Sequence, residues 1–166
     1  MAFALNAGVR LHWRIDGAAD KPVLVLLNSI GTDIALYDAA VPHLLSDVRV
    51  LRIDSRGHGA SDAPDGDYSL DLLAGDVLSV MDAAGVETAA VCGTSLGGMV
   101  AMTLALKAPA RSDWSYLLRA WNCALPAVSI RALVPIDVMA LVDETFDVVE
   151  PLALASEALL ASAVGA

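Results

Sequence analysis

The sequence predicts an α/β fold in which a mostly parallel β-sheet carries helices on both faces. Three observations predict it. Short apolar runs alternate with stretches of helical period, a tight glycine-rich turn joins a strand to an apolar helix, and 57% of the residues are hydrophobic, which is enough to form a buried core. With 166 residues, the chain has the length of one domain.

The first predicted elements are strands. Residues 9–15 alternate apolar and polar side chains, which predicts a half-buried strand. Residues 22–27 form a continuous apolar run, which is typical of a strand buried on both faces. Residues 37–45 have a helical pattern, and Pro42 is expected to restart or kink that helix. Residues 48–53 predict a further strand.

The next elements are a capped helix, a short strand and a buried helix. Ser69 is positioned to cap a helix whose apolar residues recur at helical spacing up to residue 84. Residues 88–92 predict a short strand. Residues 96–107 are apolar nearly all round and predict a fully buried helix, which Pro109 ends.

The regular pattern ends near residues 110–111. Beyond this point the chain contains no Lys and no clear period, and the strand expected next is absent from the pattern. We therefore divide the chain into residues 1–110, the N-terminal part of the core, and residues 111–166, a divergent tail. The predicted sheet is incomplete on its C-terminal side.

Composition excludes several classes of function. The net charge of −10 disfavours binding to phosphate backbones, and no basic run is present to bind an anionic membrane. Cys92 and Cys123 form neither a disulfide framework nor a zinc-binding pattern. No signal peptide or membrane span is recognisable. We expect a cytoplasmic protein without a metal or organic cofactor.

A G-x-S-x-G motif at residues 93–97 carries the main chemical signal. Ser95 is its centre, and Gly93 and Gly97 leave room for a sharp turn between a strand and a helix. Such a turn exposes the serine oxygen beside the N–H groups that begin the helix. A dinucleotide fingerprint requires Gly where Ser95 stands, and a Walker A loop requires Lys where Met99 stands, so neither fits.

Two further motifs each follow a predicted strand. The first is a D-x-R-G-H-G-x-S-D run at residues 54–62, whose characteristic members are Asp54, Arg56, Gly57, His58 and Gly59. The second is the loop N-S-I-G-T-D at residues 28–33. Read alone, His58 is either a catalytic base or a hydrogen-bonded loop residue, and the second reading is preferred. The loop at 28–33, read alone, is equally a plain strand-to-helix connection.

Together the three motifs, in this order, resemble the serine-dependent α/β-hydrolases and most closely the 3-oxoadipate enol-lactonases. The resemblance covers residues 9 to about 110. It implies that Ser95 is the nucleophile, that the backbone N–H groups of Ile30 and Leu96 form the oxyanion hole, and that the loop containing His58 is structural. It further implies hydrolysis of a lactone or ester, with 3-oxoadipate enol-lactone as the substrate, in the bacterial breakdown of aromatic acids.

The chain departs from the family pattern after Ser95. The family places an acid and then a histidine base after the nucleophile, yet the three histidines (His12, His43 and His58) all precede Ser95. Four of the acidic residues that follow Ser95 are candidates for the acid, but they have no strand-end context and are read as solvated side chains: Asp137, Asp143, Glu144 and Asp147. The general base of the family is therefore absent from these 166 residues.

This departure leaves several hypotheses. A shifted reading frame in a GC-rich gene would produce a truncated hydrolase with an unrelated tail, and resequencing the coding DNA tests this. The chain is alternatively a catalytically inactive fragment or interaction protein, whose unfinished sheet edge favours self-association. A partner chain could also supply the base. Among active enzymes, general carboxylesterases and cofactor-free haloperoxidases remain alternatives to a lactonase.

Overall fold

A computed structural model describes residues 1–111 of the chain. The predictions made for the tail, including its acidic residues and Cys123, lie outside this part. The described part contains five strands: β1 (Ala2–Asn6), β2 (Val9–Asp16), β3 (Val23–Leu27), β4 (Arg49–Ile53) and β5 (Ala90–Gly93). They form one sheet in the order β1-β2-β4-β3-β5, in which β3, β4 and β5 run parallel and β1 and β2 pair antiparallel.

Strand β1 is missing from the sequence prediction. It pairs with β2 through a two-residue turn, Ala7 and Gly8, whose φ angles are 49° and 83°. Positive φ at both central positions matches the right-handed twist of a hairpin. Asn-Gly is the usual signal for such a turn, and an alanine in this conformation gives no such signal.

The parallel strands bring the three sequence motifs to one edge of the sheet. Leu27, at the end of β3, lies opposite Ile53 of β4 on one side and opposite Gly93 of β5 on the other. The loops that follow these residues must therefore be neighbours, because the carboxyl ends of parallel strands meet at the same edge. The buried strand predicted at residues 22–27 is confirmed, since its last four residues are at most 1% exposed.

Three helices pack on this sheet: α1 (Val41–Leu44), α2 (Leu70–Ala83) and α3 (Leu96–Lys107). The predicted cap of α2 is confirmed, because the Ser69 hydroxyl accepts a hydrogen bond from the Leu72 N–H. Helices α2 and α3 cover one face of the sheet, and the segment that includes α1 covers the other. Helices on both faces of a mostly parallel sheet confirm the predicted fold class.

Two helix predictions need correction. Residues 37–45 do not form one helix: a 3-10 helix at Ile34–Tyr37 precedes α1, and Pro42 lies in the first turn of α1, where its missing N–H costs nothing. Helix α3 has the predicted bounds but is not buried all round. Leu104 faces the core, whereas Leu106 is 75% exposed. Apolar composition cannot distinguish these two faces.

Candidate active site

The turn between β5 and α3 holds Ser95 in an unusual backbone conformation. Ser95 has φ 53° and ψ −113°, directly before the first residue of α3. Side-chain-bearing residues avoid this region, and holding one there costs about 1–3 kcal/mol. Within residues 1–111, the Ser95 hydroxyl has no hydrogen-bond partner. The turn therefore presents a strained, half-buried serine whose oxygen is not used by the fold.

The two glycines of the motif are sterically required. A Cβ atom on Gly93 would overlap the backbone of Gly97 and Gly98, and a Cβ atom on Gly97 would overlap the carbonyl of Leu27. Both glycines thus allow the turn to close against α3 and against the end of β3. Any larger residue would move the backbone that sets the position of Ser95.

Several backbone N–H groups near this turn have no hydrogen-bond partner within the described residues. They include the N–H of Leu96, the first residue of α3, and the N–H of Ile30 in the loop after β3. The Leu96 N–H is one of the groups that a helix always leaves without an internal partner. The Ile30 side chain is 71% exposed, so this loop lies at the surface. Both groups are free to donate to an anion.

Asn28 fixes the loop that carries Ile30. Its side chain is fully buried, and its amide nitrogen donates to the carbonyls of Ser29 and Thr32 at 3.0 and 2.7 Å. Its amide oxygen accepts from both the N–H and the hydroxyl of Ser55 at 3.0 and 2.7 Å. One side chain thus joins the loop after β3 to the loop after β4.

Asp54 organises the loop after β4. Its carboxylate accepts hydrogen bonds from the Ile34 N–H at 2.8 Å and the Ala60 N–H at 2.9 Å, and it contacts Nδ1 of His12 at 2.7 Å. Gly59 is packed so closely on this carboxylate that a Cβ atom would overlap it. These contacts engage both carboxylate oxygens of Asp54, and they favour a structural role for the motif at residues 54–62.

Arg56 and His58 are also used by the fold. The Arg56 guanidinium makes a bidentate, buried contact with Asp76 of α2 at 2.7 and 2.8 Å, and this hydrogen bonding raises the pKa of Arg56. Nδ1 of His58 lies 3.1 Å from the Arg56 carbonyl. Since a carbonyl only accepts, Nδ1 carries the proton and donates it. Gly57 lies against the ring of Tyr68.

None of the three histidines is hydrogen-bonded to Ser95. His12 is paired with Asp54, His58 with the Arg56 carbonyl, and His43 lies in α1 with its side chain exposed. The His12–Asp54 pair was not expected from the sequence, because it joins residues 42 positions apart through the pairing of β2 with β4. The described part of the chain therefore supplies a serine and two N–H donors but no histidine hydrogen-bonded to that serine.

A cavity of about 480 Å³ lies between the loop after β3 and the loop after β4. It opens beside the Ile30 loop, so it is a candidate space for a bound small molecule. Seven residues line it, and Ser95 is not among them: Gly31, Thr32, Asp33, Leu36, Gly57, His58 and Gly59.

Residues 1–111 offer neither a reactive thiol nor a cluster of metal-binding side chains. Cys92 is fully buried, and burial raises the pKa of its thiol to about 12, so it is not a nucleophile at neutral pH. No three His, Cys, Asp or Glu side chains in this part are grouped to hold a metal ion. No helix in it is long and apolar enough to cross a bilayer.

A family model for the alpha/beta hydrolase fold matches residues 22–138. This match covers more than half of the chain, so the chain belongs to the alpha/beta hydrolase fold family, as the sequence motifs predicted. The match extends past the boundary drawn near residues 110–111, and the division of the chain at that point stays a prediction.

Within this family, the chain is similar to several named hydrolases, two of which are enol-lactonases. The chain is 31% identical over 137 residues to 3-oxoadipate enol-lactonase 2 of Acinetobacter baylyi, across 77% of this chain and 51% of that protein. A solved hydrolase from Pseudomonas aeruginosa is 50% identical, with a TM-score of 0.66 over 68% of this chain and 43% of its own. The solved enol-lactonase from Burkholderia xenovorans is 42% identical, with a TM-score of 0.65 over 68% and 44%. The chain thus spans about half the length of these relatives, or less.

Proposed function

We propose that this chain carries the nucleophile half of a serine hydrolase site, which acts on a lactone or ester through an acyl-serine intermediate. The observation that carries the proposal is the conformation of Ser95. It is strained, directly precedes α3, and has a hydroxyl without a partner in the described residues. Backbone strain of this kind clusters at functional sites, and presenting a nucleophile is the function that this turn suits best.

In the proposed reaction, the Ser95 oxygen attacks the carbonyl carbon of the substrate. A C–O bond forms, and the carbonyl oxygen becomes an oxyanion that accepts hydrogen bonds from the N–H groups of Ile30 and Leu96. A general base, which residues 1–111 do not show beside Ser95, takes the proton of the Ser95 hydroxyl and passes it to the leaving oxygen as the bond between that oxygen and the carbonyl carbon breaks. Water then attacks the acyl-serine ester, which releases the acid and returns a proton to Ser95. Losing one oxyanion donor typically costs about a hundredfold or more in rate.

The proposed substrate is 3-oxoadipate enol-lactone. Two of the relatives described above are named enol-lactonases, and the loop at residues 28–33 carries the Asn-Ser-x-Gly-Thr-Asp pattern that the sequence resemblance singled out. General carboxylesterases and cofactor-free haloperoxidases remain alternatives. The proposal requires neither a metal nor an organic cofactor, and a cytoplasmic location remains part of it.

A second candidate function concerns the general base, which the described residues do not bring to Ser95. Activation of a serine hydroxyl requires a general base, usually histidine, and no histidine follows Ser95 in the sequence. The histidines that precede it contact other groups. We therefore also propose a member of the family that keeps the nucleophile turn without turnover, or one whose base comes from a partner chain.

The test is hydrolysis of 3-oxoadipate enol-lactone by the purified 166-residue chain, beside a Ser95→Ala control. Turnover by the chain but not by the control would establish Ser95 as the nucleophile and would require another residue or subunit to act as base. If a folded chain and its control are equally inactive, the proposal of a chain without turnover is favoured.

A further inference from the structure

Tyr37 connects the two loops that carry the candidate oxyanion donors. It is the last residue of the 3-10 helix that follows the Ile30 loop, and it is 2% exposed. Its hydroxyl lies 2.9 Å from the carbonyl oxygen of Leu27 and 3.0 Å from the hydroxyl oxygen of Thr94. Leu27 ends β3, and Thr94 directly precedes Ser95, so Tyr37 reaches from one loop to the other.

The direction of these hydrogen bonds follows from their chemistry. A carbonyl only accepts, so the single phenolic proton of Tyr37 is donated to Leu27. The Thr94 hydroxyl must then donate to the Tyr37 oxygen. The backbone N–H of Thr94 also donates to the Leu27 carbonyl at 3.2 Å. Thr94 is thereby held by its backbone and by its side chain.

Burial keeps this arrangement intact over a wide pH range. Burial raises the pKa of the Tyr37 hydroxyl well above its usual value, so the phenol keeps the proton that it donates to Leu27. The Leu27 carbonyl receives two hydrogen bonds, one from each loop. This carbonyl therefore links the loop after β3, through Tyr37, to the turn after β5, through Thr94.

We propose that Tyr37 is a positioning residue that fixes the separation between the Ile30 and Leu96 N–H groups and holds the strained Ser95 turn. This inference rests on the proposed function for the role of the two N–H groups. An oxyanion hole built from two loops requires that the loops keep one separation, because donors must lie within about 2.7–3.1 Å of the developing charge. Tyr37 is the buried side chain that joins these two loops directly.

The first measurement is amide hydrogen exchange on the purified chain carrying Tyr37→Phe or Thr94→Val. Three amides report on the turn, because their N–H groups are hydrogen-bonded there: Thr94, Gly97 and Met99. We expect these amides to exchange about fivefold faster in Thr94→Val, which loses one buried hydrogen bond, and about twenty-five-fold faster in Tyr37→Phe, which loses two. Amides in the middle of α2 should remain unchanged.

Two variants serve as controls. Thr94→Ser keeps the hydroxyl and should restore slow exchange. Tyr68→Phe removes a phenolic hydroxyl that bonds only to the Pro64 carbonyl in an exposed loop, and it should behave as the wild type. If Tyr37→Phe does not fold, Thr94→Val removes the same hydrogen bond from the other side. Exchange that rises equally in α2 would show general destabilisation and would overturn the proposal.

The second measurement distinguishes a failure of the positioning role of Tyr37 from a failure of the proposed function of Ser95. A fluorophosphonate ester should phosphonylate Ser95 at alkaline pH, with loss of fluoride and release of the serine proton to the buffer. We expect Tyr37→Phe and Thr94→Val to lower this rate about tenfold, and Thr94→Ser and Tyr68→Phe to leave it unchanged, since small misplacements of reacting groups are costly.

An unchanged rate in Tyr37→Phe would refute the proposal that Tyr37 positions the Ser95 turn. If the wild type does not react, the proposed function fails, and the exchange data still decide whether Tyr37 holds the turn.

Discussion

Only two non-glycine residues in the described part of the chain have a positive φ, and they lie in very different surroundings. Ala7, with φ 49°, is in the open hairpin between β1 and β2, whereas Ser95, with φ 53°, is in the turn between β5 and α3. A Cβ atom on Gly8, next to Ala7, would meet nothing within 4 Å, but one on Gly97 would overlap the Leu27 carbonyl. Strain in the hairpin follows from turn geometry alone, whereas strain at Ser95 is enforced by close backbone packing.

The largest expected difference comes from adding a methyl group in each region. Gly97→Ala should lower the free energy of unfolding by about 3 kcal/mol, because the Cβ atom overlaps a backbone carbonyl that cannot move away. Gly8→Ala should cost about 1 kcal/mol, from the positive φ alone. Urea unfolding of the purified chain measures both.

Gly75 in α2 provides a matched control for this pair. A Cβ atom there would lie 3.8 Å from the side-chain nitrogen of Asn6, an ordinary contact, so Gly75→Ala should stabilise the helix by about 0.5–1 kcal/mol. Equal losses at positions 97 and 8 would contradict the distinction between enforced and open strain.

The next effect concerns the strain at Ser95 itself. Ser95→Gly should be more stable than Ser95→Ala by about 1 kcal/mol, because glycine adopts this backbone region without the cost that a side chain incurs. Thermal and urea unfolding of the two variants test this. At the exposed Ser46, whose φ is negative, the same pair should rank in the opposite order. A Gly variant that is no more stable than the Ala variant at position 95 would show that the turn is not strained.

The smallest effect is expected in the hairpin. Ala7→Asn should stabilise the chain by about 0.5 kcal/mol, because asparagine tolerates positive φ better than alanine and is favoured in two-residue hairpin turns. Ala63→Asn, an exposed loop position without positive φ, should leave stability unchanged. If both substitutions change the free energy of unfolding equally, the positive φ of Ala7 does not destabilise the chain.

The sequence predicted the elements whose signals are local. Helix α3 was bounded correctly by the turn before Leu96 and by Pro109, and Ser69 was recognised as a cap because its partner lies three residues away. Strand β1 was missed because its hairpin uses an alanine in place of the usual asparagine. The broken helix at residues 37–45 was only partly predicted, since the position of Pro42 did not reveal the separate 3-10 helix.

The candidate site shows the same limit. Motif order predicts Ser95, Ile30 and Leu96 as site residues, because each lies in a loop or turn that follows a predicted strand. The side-chain contacts between the loops that carry them could not be predicted. Tyr37 reaches Thr94 across 57 positions, and Asn28 reaches Ser55 across 27. These contacts depend on the strand order β4-β3-β5, which no local pattern encodes.

The central claim is that the Ser95 turn is preformed and chemically competent in this chain, independently of any base. The most direct measurement is the position and stoichiometry of phosphonylation by a fluorophosphonate ester at alkaline pH, read by peptide mass spectrometry. The account expects one phosphonyl group per chain, on the peptide that contains Ser95, and none on that peptide in Ser95→Ala. Labelling that spreads over other serines, at the same rate in the wild type and in Ser95→Ala, would contradict it.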